Sequence, residues 1–223
     1  RPKLMAEYGD TISRLDLELD AARQYADVQA SAWDPAGQQV VSGASSEPGV
    51  NKQGDITGLE LADVLSAPTF ELHTQSPTSE GELKDWANAQ LIKSRLSRIR
   101  GTVEFAGNAG IGPGDSLDLD GLGKRFSGNG YVAAVRHDVR DGNWTTEVEL
   151  GLSARWFADA NRDVNAAPAG AQRPATNGMQ IAKVQQIHQD PSGERRIKVT
   201  LPLHTDSNDG VWVRNVSPYA SKN

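Results

Sequence analysis

The stretch that most constrains the fold runs from Gly101 to Gly151. It begins with Gly-Thr-Val-Glu-Phe at 101–105 and turns through the glycine-rich corner Gly107-Asn-Ala-Gly-Ile-Gly-Pro-Gly114. Two runs then alternate residue by residue. In 131–139, Tyr131, Ala133, Val135, His137 and Val139 share one face. In 144–150, Trp144, Thr146, Val148 and Leu150 share one face and Thr145, Glu147 and Glu149 the other. Period-two alternation is the pattern of half-buried β-strands. Asp141-Gly142-Asn143 between the runs is a turn signal that joins them as a hairpin. The stretch predicts a β-meander and contains nothing that looks like a catalytic loop.

The remainder of the chain points the same way. Only 37% of the 223 residues are hydrophobic and 22 are glycine, a balance that suits many short strands and turns. Leu15, Leu17 and Leu19 alternate with Asp16, Glu18 and Asp20, and Val28, Ala30 and Ala32 alternate with Gln29, Ser31 and Trp33. Asp34-Pro35-Ala36-Gly37 carries proline at the second position of a type I turn. Residues 42–58 are loop by composition, and Leu59, Ala62 and Leu65 have the spacing of a short helix.

One clear helix is expected over 79–99. Ser76 or Ser79 supplies the cap, and Ser79 with Glu82 matches the capping box. Leu83, Trp86, Ala87, Gln90 and Leu91 form an apolar stripe of helical period. The basic run Lys93 to Arg100 reads as a solvated helix end, where cations oppose the dipole for about 0.3–1 kcal/mol each, and Gly101 as the stop. The expected fold class is therefore mainly β with one clear α-helix.

Polar, small and proline-containing residues over 158–177 read as a linker. Beyond it, Ile181 to His188, Arg196 to Leu201 and Val211 to Val216 are strand candidates, with a turn at Asp190-Pro-Ser-Gly193. Three strands in 178–223 cannot close a barrel or cover their own edges, so this part is completed by a partner or by further chain. The chain opens on Arg1 rather than methionine, which reads as a piece of a longer protein.

Candidate chemistry is sparse. The chain has no cysteine, which excludes disulfides, thiolate zinc sites and cysteine nucleophiles. His73, His137, His188 and His204 stand in no H-x-x-x-H or H-E-x-x-H arrangement, and His137 reads as a packed strand residue. Asp115, Asp118 and Asp120 lack the spacing and closing glutamate of a calcium loop and read as a solvated turn. Gly107, Gly110, Gly112 and Gly114 lack the lysine and the helix of a phosphate cradle, and read as permitting positive φ at a corner. Glu147 and Glu149 lie side by side on one strand face, whereas a glycosidase pair faces across a cleft. No catalytic, cofactor-binding or metal-binding residue is assigned. A net charge of −6 argues against nucleic acid as a partner. No apolar run reaches the roughly 20 residues of a membrane helix.

Certain residues carry a family resemblance. Trp33-Asp34-Pro35 resembles a turn in the hub of VgrG proteins. Ser94-Arg95-Leu96-Ser97, Arg100-Gly101, Pro113-Gly114, Gly128, His137 and Trp144-Thr145-Thr146 follow in the family's order. Gly178 to Val184, Asp190 to Gly193, Arg196 to Pro202, Trp212 to Arg214 and Ser217 to Ala220 resemble the opening of the OB-fold in phage-type spikes. The resemblance implies a hub-spike protein of a contractile injection system, whether type VI secretion, phage tail or extracellular particle. Residues 1–157 would be the C-terminal part of a β-barrel-type hub, and 178–223 the first part of an OB-fold. It further implies a homotrimer that joins tail tube to needle, with tail-tube and other baseplate proteins as partners and effector cargo as a further one. It implies no enzyme activity and no cofactor. The particle would be assembled in the bacterial cytoplasm and the spike expelled towards a target cell. Two other function classes fit fewer residues: a cell-wall hydrolase-associated spike, and an OB-type nucleic-acid or carbohydrate-binding module.

Overall fold

The computed structural model describes residues 2–50, 52–74, 78–161, 179, 181–201 and 209–216. It is mainly β. Six strands form one curled half-barrel sheet: β1 (Leu4–Glu7), β2 (Ile12–Leu19), β6 (Ile99–Ala106), β7 (Ser116–Asp120), β8 (Gly128–Arg140) and β9 (Asn143–Leu150). Their order is β1-β7-β8-β9-β6-β2, with β1 and β7 parallel and the other pairs antiparallel. The meander expected over 101–151 is thus the centre of this sheet.

The core lies on the face where Val103, Phe105, Leu117, Leu119, Val132, Val148 and Leu150 converge, all nearly or fully buried. Leu15 and Leu17 of β2 pack against it from the edge, on the face their alternation indicates. Thr146 joins Val148 and Leu150 on the buried side of β9, again as alternation indicates. Strand β8 departs from expectation. A register shift between Val132 and Ala134 inserts an extra residue, so Val132 and Val135, three apart, both turn to the core. A bulge shifts the phase of a strand, so Val135, His137 and Val139 share the face that Val132 occupies before it. Val139, at 69%, and His137 are nevertheless exposed rather than packed, beyond the last residue of β8 that packs on the core.

A second sheet has the order β4-β3-β5, built from β3 (Val28–Asp34), β4 (Gln39–Ala44) and β5 (Phe70–Thr74). Val28, Ala30 and Ala32 are buried as their alternation indicates. The β3–β4 turn is held by Asp34, whose Oδ1 accepts from Ala36 N at 2.9 Å. Two helices accompany these strands: α1 (Gly58–Val64) and α2 (Glu80–Leu96). Residues 42–44, expected as loop, belong to β4. Short helices α3 (Gly123–Phe126) and α4 (Phe157–Ala160) follow, the latter at the opening of the expected linker.

The chain divides into two units. One comprises Arg1–Ser31, Ser42–His73 and Ser79–Ala160, and the other Ala32–Val41, Thr74–Thr78 and Asn161–Asn223. In the second unit, β10 (Lys183–Gln186), β11 (Ile197–Thr200) and β12 (Val211–Val213) form an antiparallel sheet in that order. The turn at Asp190 is fastened by Arg196, which donates to the Asp190 carboxylate at 2.9 Å through Nη2, while Gly193 N closes on Asp190 O at 3.0 Å. Ser76, the linker from 162 on, Gly178, Gln180, Pro202, His204 and 217–223 lie outside the described residues.

Candidate functional site

The densest polar constellation sits at the C-terminal end of α2. The helix starts at Ser79, whose side chain accepts from Glu82 N while the Glu82 carboxylate accepts from Ser79 N at 2.9 Å. That reciprocal pair is the capping box. From there a stripe of helical period goes under: Leu83, Ala87, Leu91, then Ser94 and Arg95. The helix stops at Leu96, capped by Ser97, so Arg98 and Arg100 are not helical and Gly101 is inside β6. Gly101 is required there for another reason. Its φ is +143°, and a Cβ would stand 1.9 Å from the Asp16 carbonyl oxygen on β2.

The basic run is not a solvated helix end. Arg95 is 5% exposed and Arg98 9%. Arg95 grips Glu47 in a two-pronged contact, Nε and Nη2 each at 2.8 Å, and donates through Nη1 to Tyr25 O at 2.9 Å. Arg98 donates to Gln53 O at 2.5 Å and to Ile56 O. Burial, and then the neighbouring Arg95 charge, push the Arg98 guanidinium below its ordinary value. Ser94 Oγ donates to Arg23 O at 2.7 Å, and Gln24 Nε2 returns a bond to Ser94 O at 2.7 Å. A buried charge is tolerated when its donors are occupied, and here the acceptors are the Glu47 carboxylate and the backbone carbonyls of Tyr25, Gln53 and Ile56.

That segment is strapped at its other side to the half-barrel. Gly54 N donates to Ser127 O at 2.8 Å and Asn129 N to Lys52 O at 2.9 Å. Gly54 has φ +74°, and a Cβ would meet Arg125 O at 2.3 Å. Gln53 bridges to Gly128 at the start of β8. The two arginines therefore tie the end of α2 to one side of a strap whose other side holds the sheet. A cleft of about 470 Å³ runs beneath it, with Arg98, Asn129 and Tyr131 in its wall. The charges around it balance, with Glu47, Asp55 and Glu60 against Lys52, Arg95 and Arg98. No cysteine, serine or histidine lines the cleft. The arginine bonds fix the geometry of the strap.

Other residues singled out in the sequence are dispersed. Ser31 Oγ and His73 Nδ1 are 2.7 Å apart on an exposed surface. His137 Nδ1 lies 3.0 Å from buried Thr146 Oγ1 and its ring meets Trp144 edge-on at 5.8 Å. Asp115 accepts from Gly112 N at 2.8 Å and pairs with Lys3 at 3.1 Å, whereas Asp118 and Asp120 are in β7 rather than in a turn. Among the described residues no group of three His, Asp or Glu is placed to hold a metal ion. In the glycine corner, Gly114 has positive φ at +88°, while Gly107 is needed because the Trp144 ring lies over it, 2.0 Å from where a Cβ would be. Glu147 and Glu149 flank core residues of β9; within the sheet Glu147 stands opposite Glu104 and Arg136, and Glu149 opposite Thr102 and Ala134. No helix among the described residues is long and apolar enough to cross a membrane.

The arginines are what sequence reasoning missed as a site. A signal existed: spacing of four from Leu83 through Ala87 and Leu91 leads to Arg95. A cation on the buried stripe must be bonded rather than solvated.

Comparison with known proteins adds two family matches. Residues 1–141 match the family described as the Alg8 N-terminal domain. Residues 180–223 match the type VI secretion system/phage-baseplate injector OB domain, which bears out the resemblance read from that part of the sequence. No curated protein matches the chain as a relative. Two solved structures are similar in part. The 43 kDa tail protein of prophage MuSo2 from Shewanella oneidensis is 8% identical, with a TM-score of 0.45 over 69% of this chain and 43% of that one. A tail protein from Neisseria meningitidis MC58 is 17% identical, with a TM-score of 0.45 over 72% of this chain and 47% of that one. The chain thus spans less than half the length of either tail protein.

Proposed function

Given that the chain belongs, by its residues 1–141, to the Alg8 N-terminal domain family, we propose that it is a structural hub-spike subunit of a contractile injection particle. The observation that carries this is the match of residues 180–223 to a baseplate injector OB domain. It comes after a β unit whose densest polar cluster is a scaffold. In this reading 1–157 is hub, 158–177 linker and 178–223 the first part of the OB-fold. The subunit works as a homotrimer and performs no reaction. It receives the tail tube on one side and passes into the needle on the other, among other baseplate proteins and with effector cargo carried on it. It assembles in the bacterial cytoplasm and is driven outward on contraction.

The physics supports the reading. Among the described residues the half-barrel has β1 and β2 as its outer strands, and the sheet β10-β11-β12 has β10 and β12. Unpaired edges are completed in symmetric assemblies. A part that is pushed through an envelope benefits from fixed charges on backbone carbonyls, as at Arg95 and Arg98, over groups that change ionisation near neutral pH. The test is to tag the full-length protein in a producing strain, purify sheath-containing particles and locate the tag by immunogold electron microscopy. Label at the tube-proximal tip of the baseplate is expected. Particles that assemble with the tagged protein absent from them would refute the proposal.

A further inference from the structure

We infer that the groove framed by Tyr25, Phe70, Trp86 and Trp156 docks an acidic peptide segment, supplied by a partner protein, that inserts an apolar anchor side chain. The groove encloses about 630 Å³, enough for one large side chain and its neighbours. Tyr25 and Phe70 stack with centroids 4.5 Å apart and form one wall. Trp156 is fixed by donating Nε1 to Gln90 Oε1 at 2.6 Å. The groove is therefore a preformed aromatic slot, the setting in which interface anchors are found.

Charge says what enters it. Arg23 and Arg155 line the groove, and Lys93 Nζ stands 4.9 Å above the Trp156 ring. Among the described residues, none of the three has a carboxylate within ion-pair distance. Elsewhere among the described residues Arg95, Arg100, Arg125, Arg140, Arg196 and Arg214 are ion-paired, and the chain as a whole is acidic at −6. Three unpaired cations around an apolar floor complement a ligand with an apolar centre and acidic flanks. The Gln90 carbonyl is already used by Trp156, so the slot offers a neutral sugar few partners for its hydroxyls. Single-stranded nucleic acid needs a basic channel that tracks a run of phosphates, which three clustered cations do not provide.

The experiment is selection from a random dodecapeptide display library on the immobilised full-length protein. Calorimetry with the synthetic consensus peptide follows, with a dodecamer of deoxyadenylate and chitohexaose as parallel probes. Selected peptides are expected to combine Asp or Glu with Trp, Phe or Leu. Affinity is expected to fall about tenfold or more in the Arg23→Glu/Arg155→Glu variant and severalfold on raising salt, as for paired charges at an interface rim. A peptide with Lys in place of its acids is expected to regain binding to that variant. Lys93→Glu, a single change at a half-buried position, gives the same reading should the double variant fold poorly by circular dichroism. Selection without acidic enrichment, affinity indifferent to Lys93→Glu, or binding of either parallel probe without any peptide selection would overturn the inference.

Discussion

At the scale of single residues, the structure turns on arginines that serve the backbone. Arg95 is closed off from water, while its partner Glu47 keeps half of its side chain exposed. The two ends of this bond therefore differ in consequence. Arg95→Met leaves the Tyr25 carbonyl without its donor and frees the strap, and a loss of about 2–3 kcal/mol in urea unfolding is expected. Glu47→Gln leaves Arg95 its carbonyl acceptor, and less than about 1 kcal/mol is expected because the carboxylate is solvated. Equal losses from both would contradict the asymmetry. Thr146 is a second such residue. It is fully buried and its Oγ1 accepts from Asn108 N at 2.9 Å. Thr146→Val keeps the shape and removes the acceptor, at an expected cost of about 1–2 kcal/mol. This bond was not legible in the sequence, where Thr146 counted only as one more inward position. The basic run misled for a related reason. Local sequence says that cations end a helix, but whether a distant segment covers them is decided by the strap at 47–56.

At the scale of elements, local signals were legible and phase over distance was not. The capping box at Ser79 and the turn at Asp190 can be read because each is complete within a few residues. The strands β1, β4, β5 and β7 escaped notice. Each has six residues or fewer, too short for alternation to stand out. In β8 the inward face passes through Val132 before the bulge at Ala133 and through Val135 after it, and nothing local marks a bulge that the register with β9 imposes. Ser79→Ala should cost about 1 kcal/mol and speed amide exchange at Glu82. Carboxylates in these local motifs set the acid response. Glu82 and Glu60 are held below the usual range by backbone N–H donors at Ser79 and Thr57. Asp190 is held well below it, first by the Arg196 side chain. A carboxyl depressed in the folded state contributes stability above its unfolded value and loses that contribution as pH falls towards its folded one. Stability should therefore be level through neutral pH and decline below about pH 4, with Asp190 the last of these to titrate in carboxyl NMR. An Asp190 resonance that titrates in the ordinary range would show that the Arg196 contact does not persist in solution.

At the scale of the whole molecule, the sequence made the class of fold plain and left its closure open. The half-barrel was foreshadowed by the meander, whose three strands lie together as β6, β9 and β8. Its completion by parallel pairing of β1 with β7 depends on residues more than a hundred positions apart, which no local pattern reports. Among the described residues the sheets end in strands with no further partner, and their completion by copies of the same chain is the central claim. Mass photometry of the full-length protein at nanomolar concentration tests it most directly. A single population at three times the protomer mass is expected, and a stable monomer across the accessible concentration range would contradict it.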